Sequence, residues 1–306
     1  MNSSETKLTV LMSTYNGAAY LREQIDSIIG QTGDFSLRLL VRDDGSADGT
    51  VELLRAYEAQ GKLRCITGDN LRPAQSFMEL VLQAEESDYY AFADQDDVWL
   101  DGKLSAALAA LEKETGPALY FSNAELVDAQ LQSLGRRVYR DCPALDLPTL
   151  SCAGGLLGCT MVMNRALAAL LRQQERPGKM VMHDFYVALV CAAVGGKILY
   201  EDCGYLQYRQ HGNNVVGVSH GFLQTVKARL HSITTAPAVT VDEQSAEVLT
   251  RYESLMPPEN AAWLRRVAGY RKHRYSRMGL AFSGKTRYVR RNKAVELRLA
   301  LLWGNR

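Results

Sequence analysis

The chain has 306 residues, 47% of them hydrophobic and 23% charged, with 35 Lys and Arg against 34 Asp and Glu. These proportions exclude a disordered or collagen-like chain and fit a globular enzyme of one large domain, or one domain plus an appendage. A net charge of +1 points to no partner, and six cysteines without a CxxC pair fit neither a zinc site nor a short disulfide framework, so free buried thiols are expected.

The opening MNSSETKLTVLMSTYNG lacks a basic stretch followed by a long apolar one, so no secretory leader is expected. The first strand is LTVLMST, β-branched and apolar. AAYLREQIDSIIGQT carries Leu21, Ile25, Ile28 and Ile29 at helical spacing. LRLLVRDDGS reads as a strand ending in turn residues, and Asp48 caps the helix GTVELLRAYEAQG, which Gly61 ends. LRCITGD, SFMELVLQAEES and DYYAFADQDD follow as strand, helix and strand. After Asp101, read as a helix cap, come the helix KLSAALAALEKETG and the strand ALYFSNAELV. This alternation predicts an α/β fold: an open, mainly parallel, doubly wound sheet flanked by helices.

The second half is less regular. LPTLSCAGGLLGCTMVMNRALAALL reads as a Gly-rich irregular stretch, a short strand and a helix. MHDFYVALVCAAVGG reads as a helix, and KILYEDCGYLQYRQHGNNVVG as a strand and polar loop. Its most apolar parts fall short of the roughly 18–20 residues of a membrane-spanning helix. From Val218 the pattern turns helical, with polar and Pro-containing interruptions. Two domains are expected, 1–217 and a helical, basic extension over 218–306.

Ligands of such sheets bind at the carboxyl ends of the strands. STYNG, RDDGSADGT and FADQDD all fall there. A dinucleotide site would need GxGxxG after the first strand, and a P-loop would need GxxxxGK[ST]; STYNGAAY supplies neither. In FADQDD, Asp94, Asp96 and Asp97 lie within four residues, a repulsion that a divalent cation or a helix N-terminus would offset. On a strand Asp94 and Asp96 would share one face and one ion. Asp43 and Asp44 begin a DGS turn that could also present a carboxylate. Asp184 opens a helix, whose N-terminal end favours an ionised carboxylate, and could simply cap it. Arg265 to Arg306 holds thirteen Lys or Arg against one acid, Glu296, with aromatic residues interleaved. Its candidate partners are nucleic acid, an anionic membrane surface, or a packing face on the core or a second subunit.

Taken in order, VLMSTYNGAAYLREQIDSIIGQT, LLVRDDGSADGT and FADQDDVWLDGKL resemble the family 2 glycosyltransferases of the GT-A fold. GLLGCTMVMNR, MHDFYVALVCAAVGGKILY and YRQHGNNVVG resemble a bacterial rhamnosyltransferase subgroup that builds surface polysaccharides. The likeness covers roughly residues 7–217. It implies an inverting, metal-dependent transferase moving a sugar, L-rhamnose in the sharper form, from a dTDP- or UDP-sugar to a hydroxyl of a glycan or lipid-linked glycan.

The resemblance also implies residue roles. Asp96, with Asp94 and His211, would hold Mn²⁺ or Mg²⁺. Ser13, Thr14, Tyr15, Asp43, Asp44, Asp94 and Arg209 would bind the nucleotide-sugar, with Asp44 reading the base. Asp184 would be the catalytic base, and His183 takes no fixed role. It implies a cytoplasmic protein, peripheral on the membrane through its basic C-terminus or dimeric through the same segment, and sets nucleic acid aside. A nucleotidyltransferase, and a non-catalytic sugar-nucleotide-binding or membrane-scaffolding protein, are the rival readings.

Overall fold

A computed structural model describes residues 5–154, 156–211, 237–285 and 291–305. Strands and helices alternate through β1 (Thr6–Thr14), α1 (Leu21–Ile29), β2 (Phe35–Asp43), α2 (Thr50–Ala59), β3 (Arg64–Thr67), α3 (Arg72–Gln83) and β4 (Tyr89–Ala93). Then come β5 (Val98–Trp99), α4 (Lys103–Leu111), β6 (Ala118–Val127), β7 (Ser133–Arg137), α5 (Leu147–Ala153), β8 (Val162–Asn164), α6 (Arg165–Arg172), α7 (His183–Ala193) and β9 (Lys197–Arg209). The C-terminal stretch is helical: α8 (Val241–Tyr252), α9 (Pro258–Ala268), α10 (Arg274–Ala281) and α11 (Arg291–Trp303).

The sheet runs β3-β2-β1-β4-β8-β6-β9-β5, with β7 on the side of β6. Most of its paired length is parallel, as the alternation predicts. β8 enters antiparallel between β4 and β6, and β5 pairs antiparallel with β9. β1 is central, with Leu8, Val10, Leu11 and Met12 fully buried, the continuous apolar run of a strand covered on both faces. Leu21, Ile25 and Ile28 put the apolar stripe of α1 into the same core, each side chain stabilising the fold by about 1.5–3 kcal/mol. Register does the functional work. Thr14 pairs with Asp43 and Met12 with Ala93, so β1, β2 and β4 end nearly level.

The chain divides into two compact units. The first, Met1–Arg140, Leu157–Arg176 and Lys197–Gly212, contains the sheet. The second gathers Asp141–Leu156, Pro177–Gly196 and Asn213–Arg306. The boundary expected near residue 217 lies outside the described residues.

Within the second unit, α7 is held at both ends. The Asn260 amide donates to the carbonyls of Ala192 and Ala193 at 3.2 and 3.0 Å, satisfying groups a helix C-terminus leaves open. Before its start, the Val181 N–H donates to Gln244 Oε1 at 2.8 Å and Lys179 pairs with Glu243. Glu243 also closes a capping box with Thr240 at the start of α8. Trp263 Nε1 donates to Ser151 Oγ at 2.9 Å, joining α9 to α5.

Two local expectations change. β4 stops at Ala93, so Asp94–Asp97 form a loop before β5 rather than a strand. The charges leave the sheet where hydrogen bonds from side chains replace the ladder. Helix α4 is preceded by Gly102 at φ +81°, a conformation suited to glycine, and Asp101 makes no side-chain cap. Of the six thiols, four are buried, Cys203 is half-buried and Cys142 is exposed; none is in a disulfide.

Candidate functional site

The level strand ends bring the first three motifs together. The turn after β1 and the turn after β2 are stitched by short hydrogen bonds. Asn16 N–H donates to Ser46 Oγ at 2.8 Å, and Ala47 N–H to Asn16 Oδ1 at 2.9 Å. Gly17 N–H donates to Thr50 Oγ1 at 2.9 Å and Ala18 N–H to Asp48 Oδ2 at 3.1 Å. Asp48 also accepts from the Thr50 hydroxyl and amide. These bonds hold its carboxyl below the usual range against the opposing effect of burial.

Asp43 sits inside this weave. Its Oδ1 accepts the amides of Gly45 and Ser46, and its Oδ2 accepts the hydroxyls of Thr14 and Ser46. Asp43 and Thr14 are both buried, so the DGS turn is built on this carboxylate. Asp44, also buried, accepts from Arg42 and from the backbone amides of Leu71 and Arg72 at 3.0 and 2.8 Å. Arg42 itself bonds the Asp69 carbonyl at 2.9 Å. Asp44 is thus fixed at the root of the 69–72 loop, with three of its roughly four acceptor positions occupied. Ser13 donates to Ser76 at 2.7 Å, and Tyr15 turns its ring half into solvent.

The acidic loop is tied back to the first turn. Gln95 accepts the Tyr15 amide at 2.8 Å and donates to the Tyr15 carbonyl at 3.1 Å. A Cβ on Gly17 would lie 2.3 Å from Gln95 Oε1, so the glycine of STYNG makes room for this amide. Gln24 donates to the Asp94 carbonyl at 2.9 Å.

From inside, Arg209 at the end of β9 pins the same loop. It is 2% exposed. Its Nε donates to the Asp96 carbonyl at 2.8 Å and another nitrogen to the Ala129 carbonyl at 2.6 Å; the third pairs with Glu23. Its backbone N–H donates to Asp97 Oδ1 at 3.2 Å. The Tyr20 ring covers the guanidinium, 4.5 Å from its centroid, and stacks against His211 at 4.8 Å. His211 Nε2 lies 2.8 Å from Asp96 Oδ2. The resemblance implies Arg209 as a nucleotide-sugar ligand; its guanidinium nitrogens bond protein acceptors here.

Beneath the loop, Asp97 joins a buried group whose Lys103 sequence reasoning did not single out. Asp97, Cys159 and Lys103 are essentially without solvent contact. Burial, and then the charges of Asp96 and Asp94, push the Asp97 carboxyl well above the ordinary range. Burial, then Asp97, raises the Cys159 thiol. Burial pushes the Lys103 ammonium down to about 8, and its Nζ sits 4.0 Å above the Trp99 ring with no hydrogen-bond partner among the described residues. Ligand-type atoms of Asp94, Asp97 and Cys159 lie within 4.8 Å of one another. The signal for Lys103 was present in VWLDGKL, six positions after Asp97, but nothing local marks it as buried.

Two carboxylates and a thiol gathered this closely, one carboxylate fully buried, form a group that could hold a cation. Of the groups present, Asp96 with His211 and the half-buried Asp94 offer oxygen and imidazole ligands suited to Mn²⁺, whereas a buried thiol suits softer metals.

Asp184 belongs to the second unit. It stands in the first turn of α7, half-buried, with Oδ1 accepting the Phe185 N–H at 2.6 Å. Its neighbour His183 is buried, and burial pushes its imidazole down to about 3, so it stays neutral. Gly154, at φ +63°, lies where a Cβ would meet the Phe185 ring at 2.9 Å, so α5 can end against α7 beside Asp184 only with glycine there.

A parallel sheet with acidic and hydroxyl residues at its strand ends, and an Asp-rich loop after β4, defines a GT-A α/β fold. Residues 9–155 match the family model described as Glycosyl transferase family 2. Residues 9–155 thus carry a family 2 glycosyltransferase domain, and the relatives named as glycosyltransferases support that activity. It is 25% identical over 232 residues to the dTDP-rhamnosyl transferase RfbG of Shigella flexneri, covering 69% of this chain and 75% of that one. A glycosyltransferase of Rickettsia typhi is 25% identical over 134 residues, 44% of this chain and 41% of its own length. Among solved structures, residues 1–349 of S. aureus TarS in complex with UDP-GlcNAc superimpose with a TM-score of 0.55 at 17% identity. That match covers 98% of this chain and 91% of the other, and its likeness is one of fold.

Proposed function

We propose that the protein is an inverting, metal-dependent transferase. It moves a sugar from a dTDP- or UDP-linked donor to a hydroxyl of a lipid-linked surface-polysaccharide precursor. The observation that carries this reading is the contact of His211 with Asp96, on an acidic loop that also holds Asp94 and is locked to the β1 turn. Asp96, with Asp94 and His211, would hold Mn²⁺ or Mg²⁺, which when bound neutralises the departing diphosphate. Thr14, Asp43 and Ser13 shape the floor for the nucleotide, and Tyr15 offers an exposed ring to the base or ribose. Asp44 is assigned the imide N–H of the base through its remaining acceptor position. Asp184 accepts the proton of the acceptor hydroxyl as that oxygen bonds to the anomeric carbon and the diphosphate leaves. A helix N-terminus favours the ionised form that this task needs. L-Rhamnose is the proposed sugar, supported by the likeness to the Shigella protein.

Calorimetric titration of dTDP-rhamnose, UDP-glucose, UDP-galactose and GDP-mannose, each with and without Mn²⁺, tests the reading. Binding of a dTDP- or UDP-sugar that requires the metal is expected. Folded protein that binds none of them overturns the donor assignment. Equal binding without the metal removes the cation from it.

A further inference from the structure

Charge is divided along this chain. Residues 265–306 hold thirteen Lys and Arg against one acid, while residues 1–264 hold twenty-two against thirty-three. The near-neutral total therefore hides a strongly acidic stretch followed by a strongly basic one. Within the basic segment, Arg265 pairs with Glu253 and Arg271 approaches Asp242. Lys272, Arg274, Lys285 and Arg298 are exposed and form no ion pair among the described residues.

The apolar residues of the same segment fall on two faces. Leu280 and Ala281 of α10 are buried, as are Leu297, Ala300 and Leu301 of α11. On the opposite side of α10, Tyr275 is 86% exposed, Met278 51% and Phe282, just past its end, 61%. On α11 the spacing repeats with Val295, Leu299 and Trp303. Each helix thus has one apolar face turned inward and a second turned to solvent. Positions three, four and seven apart form one stripe of a helix. Large apolar side chains lined up in this way, with cations beside them, exceed the scattered exposure of an ordinary surface.

We propose that the outward face of α10 and α11 docks on an anionic lipid surface, with Tyr275, Met278, Phe282 and Trp303 entering the headgroup boundary. Lys and Arg near such a surface are attracted individually, and aromatic and aliphatic side chains supply the apolar part of the binding. The same face of a second copy is the poorer occupant, because a two-fold contact would set two strongly basic segments against each other with one acid apiece to offset them. No helix of the described residues is long and apolar enough to cross a membrane. The inference deepens the proposed lipid-linked acceptor but stands on this surface rather than on the donor site.

The full chain supplies its own probe. Trp99 and Trp263 are buried and Trp303 is 62% exposed, so a vesicle-induced change in tryptophan emission reports Trp303. Vesicles of phosphatidylcholine, with and without phosphatidylglycerol, are the ligands. Expected are a blue shift and co-sedimentation with the phosphatidylglycerol vesicles only, with the shift lost in Trp303→Phe. The double variant Tyr275→Ser/Phe282→Ser should bind roughly tenfold or more weakly, with unchanged circular dichroism and melting. Failure to bind, or equal binding to neutral vesicles, overturns the proposal. So does a wild-type dimer in light scattering that the double variant abolishes, which would give the face to a second copy. Donor calorimetry on the same variants separates the readings: absent donor binding with intact vesicle binding would sink the transferase chemistry alone.

Discussion

The acidic loop and the basic C-terminal helices both concentrate one sign of charge, and the chain treats them in opposite ways. Asp94–Asp97 are compensated from within: Arg209 and Lys103 are buried beside them, and Gln95, Gln24 and His211 tie down the loop. Lys272, Arg274 and Arg298 are left in water, in the same segment as the exposed Tyr275, Phe282 and Trp303. A charge cluster that must present fixed geometry is worth the desolvation cost of buried partners, because the hydrogen bonds to its backbone and to Asp96 and Asp97 then hold the loop in place. A cluster that meets a fluid, extended surface needs no such fixing and keeps its hydration until contact.

The comparison can be broken first at the carboxylates. Asp184→Asn should lose roughly 10²–10⁴-fold in transfer rate while keeping donor affinity, as measured by turnover beside calorimetry. Asp96→Asn should instead lose the metal-dependent part of donor binding. Wild-type transfer by the first variant, or unchanged Mn²⁺ dependence in the second, would remove those residues from their roles.

The next test asks whether the loop is held from inside. Arg209→Lys keeps the charge but cannot reach the carbonyls of Asp96 and Ala129 and the Glu23 carboxylate together. A destabilisation of roughly 2–4 kcal/mol in urea unfolding is expected, with weakened metal-dependent donor binding. A residue serving only the diphosphate would leave the unfolding midpoint where it was.

His183 gives an effect that is smaller per pH unit and confined to acid. Its folded pKa of about 3 lies below the ordinary value of 6.5, so the unfolded chain binds the extra proton first. The stability it contributes is present above pH 6.5 and falls as pH drops from there toward 3, by up to about 1.4 kcal/mol per pH unit. Replacing His183 with Leu should flatten that part of the stability–pH curve. An unchanged slope would assign the acid sensitivity to other groups.

The smallest effect is expected at the joint between loop and turn. Gly17→Ala pushes a methyl against Gln95, which can rotate away but then releases Tyr15. A few-fold loss of donor affinity with little change in melting should follow, read by the same calorimetry.

Much of the donor-side architecture was legible because it is local. The strands announce themselves by β-branched apolar runs, the helices by the spacing of residues such as Leu21, Ile25 and Ile28, and the turns by DGS and DG pairs. Period, composition and turn chemistry therefore determined an α/β chain with its polar clusters at strand ends. What only the tertiary structure decided depends on residues distant in sequence. Asp96 meets His211 and Arg209 more than a hundred positions later, and Lys103 and Cys159 vanish beneath the loop. Whether a charged side chain is solvated or buried is not written in its neighbours. It is set by which strands pair and by how their ends align, as Thr14 with Asp43 and Met12 with Ala93 do here.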